Sequence, residues 1–197
     1  LFNRKMIKLP VFTFLIEHPK ANILVDTSWS KDIRNYRPSK LNIRHHIRSG
    51  ELPEGESIDE VLNKTEIDHV ILTHMHPDHV DGLNNFAQPL EDVYVSEEEY
   101  QSALKNGGRY NKKTWEHLNF KTYWWNDTLG PFNKSYDFFG DGTVNLVHLP
   151  GHTKGYVGVL IKNHGKSILL TGDCGSNLDV WRKMDLSSLI TNRTDFD

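Results

Sequence analysis

The sequence reads Thr73-His74-Met75-His76-Pro77-Asp78-His79 at the point where a short apolar run ends. Three histidines and one carboxylate thus lie within six residues, an arrangement that hydrophobic packing does not explain. Imidazole binds metal ions readily near neutral pH, and such groups crowded together without a cation would perturb one another's ionisation. A His-x-His pair alone also occurs in solvated loops, but the additional Asp-His pair favours a metal site. The stretch therefore predicts a metal centre.

The residues around this stretch predict where it lies in the fold. Residues 67–73 are apolar enough to form a buried strand, and His74 follows its carboxyl end. Pro77 suits the first turn of a helix, where its missing N–H and fixed φ carry no cost. The histidines are therefore expected at a strand-to-helix junction.

Further strands and turns predict a mixed α/β architecture. Asp141-Gly142 is a strong hairpin signal between two β-rich runs. Trp124 and Trp125 end one predicted strand, and we interpret them as packing residues rather than substrate contacts. The predicted strands cover residues 10–16, 23–27, 67–73, 93–95, 120–125, 136–139, 144–149, 156–161 and 167–171.

Helices are predicted from their start signals. Ser57 with Glu60, and Ser96 with Glu99, have the spacing of capping boxes, in which each side chain satisfies the other residue's backbone N–H. The first helix is expected to reach about residue 64 and the second to end before residue 107. A short helix is also predicted at residues 115–118. Residues 28–55 lack any such pattern and read as a long surface segment, of the kind that often serves as a lid.

Two distant residues are expected to join the histidine cluster. His152 follows Pro150-Gly151 in a turn between two strands, and Asp173 follows Gly172 at the end of another. Each alone is an ordinary turn residue. Groups that end neighbouring strands can nevertheless converge on one rim of a sheet, where α/β proteins build their sites.

Composition excludes several classes of function. The 197 residues carry a net charge of −3, with 25% charged residues, so no nucleic-acid partner is expected. No apolar stretch approaches the roughly 20 residues that span a bilayer, which predicts a soluble protein without a membrane partner. The single cysteine, Cys174, excludes an internal disulfide and favours a reducing, cytoplasmic location.

Taken together, the motifs resemble the metallo-β-lactamase superfamily. The similar pieces are HxHxDH at 74–79, PGHTxG at 150–155, TGD at 171–173, and Val25-Asp26-Thr27-Ser28, in which Ser28 replaces the usual Gly. The resemblance implies an α/β fold, the four-layer αβ/βα sandwich, as one hydrolase domain over residues 1–197 with the cap at about 28–55. The family fold begins before residue 10 and ends on a further histidine, so the chain is expected to be truncated at both ends.

The same resemblance implies a dinuclear centre. His74, His76 and His152 would hold the first metal, Asp78 and His79 the second, and Asp173 would bridge both. Two divalent ions are implied, with zinc favoured and manganese, iron or cobalt open at the carboxylate-richer second site. A metal-bound hydroxide would attack the substrate, and Asp78 would carry the proton to the leaving oxygen.

The sequence leaves the substrate open. Residues 116–121 and 136–142 resemble the N-acyl homoserine lactonase group, which implies a small-molecule lactone or related ester. Ser176, however, stands where those enzymes place a substrate-orienting Tyr, and no His follows His164. A thioesterase similar to glyoxalase II and a non-catalytic binding module of the same fold remain as alternatives, and a homodimer remains open. The other histidines, which have no ligand-like context, are His18, His45, His46, His69, His117, His148 and His164.

Overall fold

The structure is a computed structural model that describes residues 8–35, 50–106 and 109–175. Its strands form one sheet of five and one of four. Part of the predicted cap, residues 36–49, lies outside the described residues, as do Ser176, His45 and His46.

The first sheet holds its five strands in chain order. A tight turn at Pro19-Lys20 joins the first two strands as an antiparallel hairpin, and every later neighbour pairs in parallel. The strands are β1 (Phe14–His18), β2 (Ala21–Val25), β3 (His69–Ile71), β4 (Val93–Ser96) and β5 (Lys121–Tyr123).

The second sheet is an antiparallel meander. The predicted hairpin at Asp141-Gly142 is confirmed, although its loop spans residues 138–143 and holds Gly140 and Gly142 at positive φ. The strands are β6 (Ser135–Asp137), β7 (Val144–His148), β8 (Val157–Asn163) and β9 (Lys166–Leu170).

The helices begin where their start signals predict. Glu60 accepts a 3.1 Å hydrogen bond from the Ser57 backbone N–H, which confirms the first capping box. Pro77 opens a single turn directly after His76. The helices are α1 (Ile58–Leu62), α2 (Pro77–Val80) and α3 (Glu97–Lys105), and 3₁₀ helices cover Lys31–Asn35, Asp81–Asn85, Lys112–Thr114 and Gly172–Cys174.

Two predicted elements differ from the structure. The first strand begins at Phe14 and not at residue 10, because β2 ends opposite it at Val25 and Asp26 turns away with φ +58°. The helix predicted at residues 115–118 is a turn after a 3₁₀ helix, since Trp115 is drawn into the core with 1% of its surface exposed.

The two adjacent tryptophans differ in environment. Trp125 is partly buried against the core between the sheets, as predicted. Trp124 is 66% exposed, so the packing prediction is wrong for this residue. The strand β5 ends at Tyr123, and the expected alternation of faces therefore does not continue into Trp124.

The first sheet is buried on both faces. Alternate residues of β2 point in opposite directions, so that Leu24 packs towards the helices while Ile23 and Val25 face the second sheet. The described helices and the two sheets thus form three layers, with the metal-binding motifs in the segments that follow the strands. Among the described residues, no helix has the length and apolar character needed to cross a bilayer.

Candidate metal centre

The structure brings the six predicted ligands together at one end of the two sheets. His74 and His76 lie in the segment between β3 and α2, and the single turn of α2 carries Asp78 and His79. The loop between β7 and β8 holds His152, and the 3₁₀ helix after β9 holds Asp173. Three separate segments of the chain therefore build the site.

The first group consists of three buried imidazoles whose nitrogens point at a common centre. His74 Nε2 lies 3.0 Å from His76 Nδ1, which lies 3.0 Å from His152 Nε2. The third side, from His152 Nε2 to His74 Nε2, measures 3.2 Å. Tetrahedral zinc, with its bonds of about 2.0–2.1 Å to nitrogen, separates its ligands by about 3.3–3.4 Å. The triangle therefore fits one face of a zinc tetrahedron.

Burial keeps two of these histidines neutral, which is the form that binds metal. Burial and the neighbouring imidazoles hold the pKa of His74 well below its ordinary value. The same causes lower the pKa of His76 to about 2. Thr73 Oγ1 lies 3.1 Å from His74 Nδ1, so it can fix the ring with Nε2 towards the centre.

The second group surrounds His79. Its Nε2 atom lies 3.5 Å from Asp173 Oδ2 and 3.8 Å from Asp78 Oδ2. The same Asp173 oxygen lies 3.3 Å from His152 Nε2, so this carboxylate stands between the two groups. The ligand atoms of His74, His79 and Asp173 lie within 4.8 Å of one another, whereas Asp78 belongs to neither group of mutually close ligand atoms. The role of each residue as a ligand stays a prediction.

Electrostatics around His79 suit a cation. Burial lowers the pKa of His79, but the carboxylates of Asp26, Asp173 and Asp78 outweigh burial and hold it well above its ordinary value. His79 Nε2 is buried and has no hydrogen-bond partner of ordinary geometry in the described part of the chain. A divalent ion would satisfy this nitrogen and offset the surplus of negative charge, so the donor set fits a metal.

Asp26 supports the site although the sequence assigned it no role. Its carboxylate accepts hydrogen bonds from Thr73 N and Thr73 Oγ1, both at 2.7 Å, and lies 2.8 Å from His79 Nδ1. A carboxylate in this position fixes the tautomer of the imidazole and directs the other nitrogen towards a metal. The Val25-Asp26-Thr27-Ser28 motif was the available signal.

Glu99 also supports the site, although the sequence predicts it only as part of a capping box. Ser96 Oγ accepts from Glu99 N at 3.1 Å, as a capping box requires, but the Glu99 carboxylate does not return to the cap. It accepts instead from Met75 N at 3.0 Å and from Gly155 N at 3.2 Å. The second capping box is therefore only half correct, because a fully buried carboxylate takes the backbone donors that are buried with it.

The other histidines take no part in these groups. His18, His69, His117, His148 and His164 lie within the described residues and outside both sets of ligand atoms.

Comparison with known proteins identifies the family. The sequence profile described as the Metallo-beta-lactamase superfamily matches residues 6–185. The chain belongs to the metallo-β-lactamase superfamily. This confirms the family that the four motifs predict, and with it the fold class and a metal-dependent hydrolase.

Relatives of this superfamily member carry a common name. The N-acyl homoserine lactonase AttM of Rhizobium radiobacter is 26% identical over 196 residues, which cover 95% of this chain and 73% of AttM. The N-acyl homoserine lactonase AiiA of Bacillus thuringiensis subsp. kurstaki is 26% identical over 178 residues, covering 86% of this chain and 65% of AiiA. The lactonase-like subgroup is therefore confirmed.

A solved structure shares the fold of this superfamily member. An N-acyl homoserine lactone hydrolase, with N-hexanoyl-L-homoserine bound at its catalytic metal center, matches with a TM-score of 0.73. The alignment covers 93% of this chain and 71% of that one at 24% identity. At this identity the likeness bears on the fold alone.

Proposed function

We propose that this protein is a dinuclear metallohydrolase that opens the ring of a lactone, with N-acyl homoserine lactones as the first candidate substrates. The observation that carries the proposal is that four imidazoles and the Asp173 carboxylate form two groups of mutually close ligand atoms, with Asp173 Oδ2 within 3.5 Å of both His79 Nε2 and His152 Nε2. The lactonase names of AttM and AiiA support the substrate class. The presence of all six predicted ligands in the chain counts against a binding module that has lost its chemistry.

Each residue has a proposed role at the centre. His74, His76 and His152 would hold one ion, Asp78 and His79 the other, and Asp173 would contact both. Zinc suits the neutral imidazoles, and manganese, iron or cobalt would also suit the carboxylate-richer group. When bound, the two ions supply an acidified water as the nucleophile and polarise the carbonyl that it attacks.

Asp78 is the residue that we expect to move the proton. Its side chain is 29% exposed and its Oδ2 lies 3.8 Å from His79 Nε2, so it faces the site without being enclosed. Water oxygen adds to the carbonyl carbon, and the bond to the ring oxygen breaks. Asp78 accepts the proton of the water and passes it to the departing ring oxygen, which gives a hydroxy acid.

Thr27, directly before the predicted cap, contacts the helical turn that carries His79. Thr27 N and Thr27 Oγ1 both donate to His79 O, at 2.9 and 2.8 Å. The 3₁₀ helix that follows is held on α1 by two ion pairs, Lys31 to Asp59 and Arg34 to Glu60. These contacts tie the described beginning of the segment to the rest of the fold, and we propose a single domain over residues 1–197 with the segment at about 28–55 as its cap.

A substrate panel tests the proposal. The zinc-loaded protein is assayed against an N-acyl homoserine lactone, a simple γ-lactone, a glutathione thioester and a phosphodiester. We expect lactone opening to dominate and to fall about 10²–10⁴-fold in Asp78→Asn, because the proton carrier is lost. Asp141→Asn, in the distant β6–β7 hairpin, is the matched control and should leave the rate unchanged.

Two results would contradict this function. Preferred turnover of the glutathione thioester would favour a thioesterase similar to glyoxalase II. Equal behaviour of wild type and Asp78→Asn, with metal bound in both, would favour a binding module.

A further inference from the structure

Tyr156 has a fully buried side chain whose hydroxyl is tied to the turn that carries Asp173. The backbone N–H of Asp173 donates to Tyr156 Oη at 2.6 Å, and the hydroxyl donates to Thr171 O at 2.9 Å. No surface of Tyr156 is exposed. One phenol group therefore holds the backbone on both sides of Gly172.

The ring of Tyr156 is itself fixed against the first metal group. Its centroid lies 5.1 Å from that of His74 and 5.9 Å from that of His152. The backbone is held as well, since Tyr156 O accepts from Leu149 N at 2.9 Å. A rigid ring therefore links the position of Asp173 to that of the imidazoles.

The turn is shaped around this hydroxyl. Gly172 has φ +46°, a conformation that favours glycine. A Cβ atom added there would lie 2.2 Å from Tyr156 Oη, far inside van der Waals contact. The hydroxyl thus fills the space that a side chain at position 172 would need.

We propose that Tyr156 is a positioning residue that sets the Asp173 carboxylate between His79 and His152 and thereby controls binding of the second metal ion. The hydroxyl acts through the Asp173 backbone and touches neither metal nor substrate. The proposal rests on the dinuclear centre of the proposed function and does not depend on which substrate is hydrolysed.

Tyr123 provides a matched control within the same chain. Its ring is also buried, with 6% exposed, and packs between the two sheets. Its hydroxyl has no hydrogen-bond partner among the described residues. Tyr156→Phe and Tyr123→Phe therefore remove the same atom from two buried sites, and only the first is tied to a ligand.

The experiment is a Zn²⁺ titration of the metal-free protein in competition with a chelating indicator. We expect Tyr156→Phe to bind the first ion within about twofold of wild type and the second about tenfold or more weakly, as for other groups that orient a ligand. Tyr123→Phe should match wild type for both ions. An unchanged second affinity in Tyr156→Phe, or an equal loss in Tyr123→Phe, would overturn the proposal, as would a wild type that binds one ion only.

The titration tests the role of Tyr156, and the substrate panel tests the proposed function, so each proposal can be refuted on its own. A wild type that binds two ions but opens no lactone would refute the proposed function, while a selective loss of the second ion in Tyr156→Phe would still support Tyr156. A wild type that opens lactones while Tyr156→Phe keeps both ions would refute the role of Tyr156 alone.

Discussion

Asp26 combines a demanding backbone conformation with three polar contacts in a buried position. Its φ of +58° is tolerated by Asp and Asn better than by most other residues, and 3% of its surface is exposed. The carboxylate contacts both Thr73 and His79, and it therefore links the segment after β3 to α2, which carries the predicted ligand His79. One substitution, Asp26→Asn, removes the charge of this side chain and keeps its shape.

Asp26→Asn should keep the backbone conformation and remove the charge. The amide has one oxygen where the carboxylate has two, so at least one buried donor would face the NH₂ group. We expect the second metal ion to bind about 10–100-fold more weakly, because His79 loses the group that orients it. Zinc titration measures this, and Asp68→Asn is the control, since Asp68 accepts a backbone N–H from Asn22 on an exposed face. Equal affinities in the two variants would contradict the role of Asp26.

The candidate ligands and the residues that support them differ in how well the sequence predicts them. The six candidate ligands could be named from the sequence because three histidines and an Asp are crowded into residues 74–79 and the motifs around His152 and Asp173 resemble those of the same family. Asp26 and Glu99 support the ligands over sequence separations of 53 and 56 residues, to His79 and Gly155. Such contacts are decided by tertiary packing, and apart from the family motif at residues 25–28 nothing in the local pattern around either residue encodes them.

At the scale of elements, α3 holds two ligand-bearing loops in place. Ser96 Oγ donates to Gly155 O at 2.7 Å, and Glu99 accepts from Gly155 N and Met75 N. Met75 lies between His74 and His76, two of the predicted ligands, and Gly155 lies three residues after a third, His152. A Cβ atom at Gly155 would lie 2.0 Å from Glu99 N, so the loop and the helix are in direct contact.

Glu99→Gln should loosen this contact. Each carboxylate oxygen accepts one backbone N–H, whereas Gln has a single acceptor oxygen, so one buried N–H would face an NH₂ group. We expect unfolding free energy to fall by about 1–3 kcal/mol, the cost of a buried unsatisfied donor. Urea unfolding with an unchanged m-value measures it. Glu97→Gln makes the same change of charge in the same helical turn and should cost less than about 0.5 kcal/mol; equal losses would contradict the prediction.

The elements themselves were predictable wherever a strong local signal marked an end. Pro77 and the Ser57-Glu60 pair start helices as expected, and Asp141-Gly142 lies in a hairpin loop. The start of the first strand was predicted wrongly because it is set by pairing with β2. The residues of β1 alone do not show where β2 ends. The helix predicted at residues 115–118 is wrong for a related reason. The buried side chain of Trp115 decides the conformation of this segment.

The candidate metal centre brings together segments that follow strands of both sheets. His74 and His76 follow β3 of the five-stranded sheet, while His152 follows β7 and Asp173 follows β9 of the four-stranded sheet. The core between the sheets already holds them together through Ile23, Ile71, Val157 and their neighbours. A metal ion bound to these residues would add a second connection between the sheets, and its strength would depend on the concentration of free metal.

Chelation should therefore lower the stability of the whole domain. Zinc that binds the folded state alone stabilises it by about 2.7 kcal/mol at a free concentration 100 times its Kd. We expect urea unfolding to shift by this order with Zn²⁺ and to return with a chelator. His152→Ala should abolish most of the shift because it removes a ligand of the first group. His117→Ala is the control, since this exposed side chain contacts Asn84 outside the centre and its loss should leave the shift intact. Equal stability with and without zinc in the wild type would contradict a centre that links the sheets.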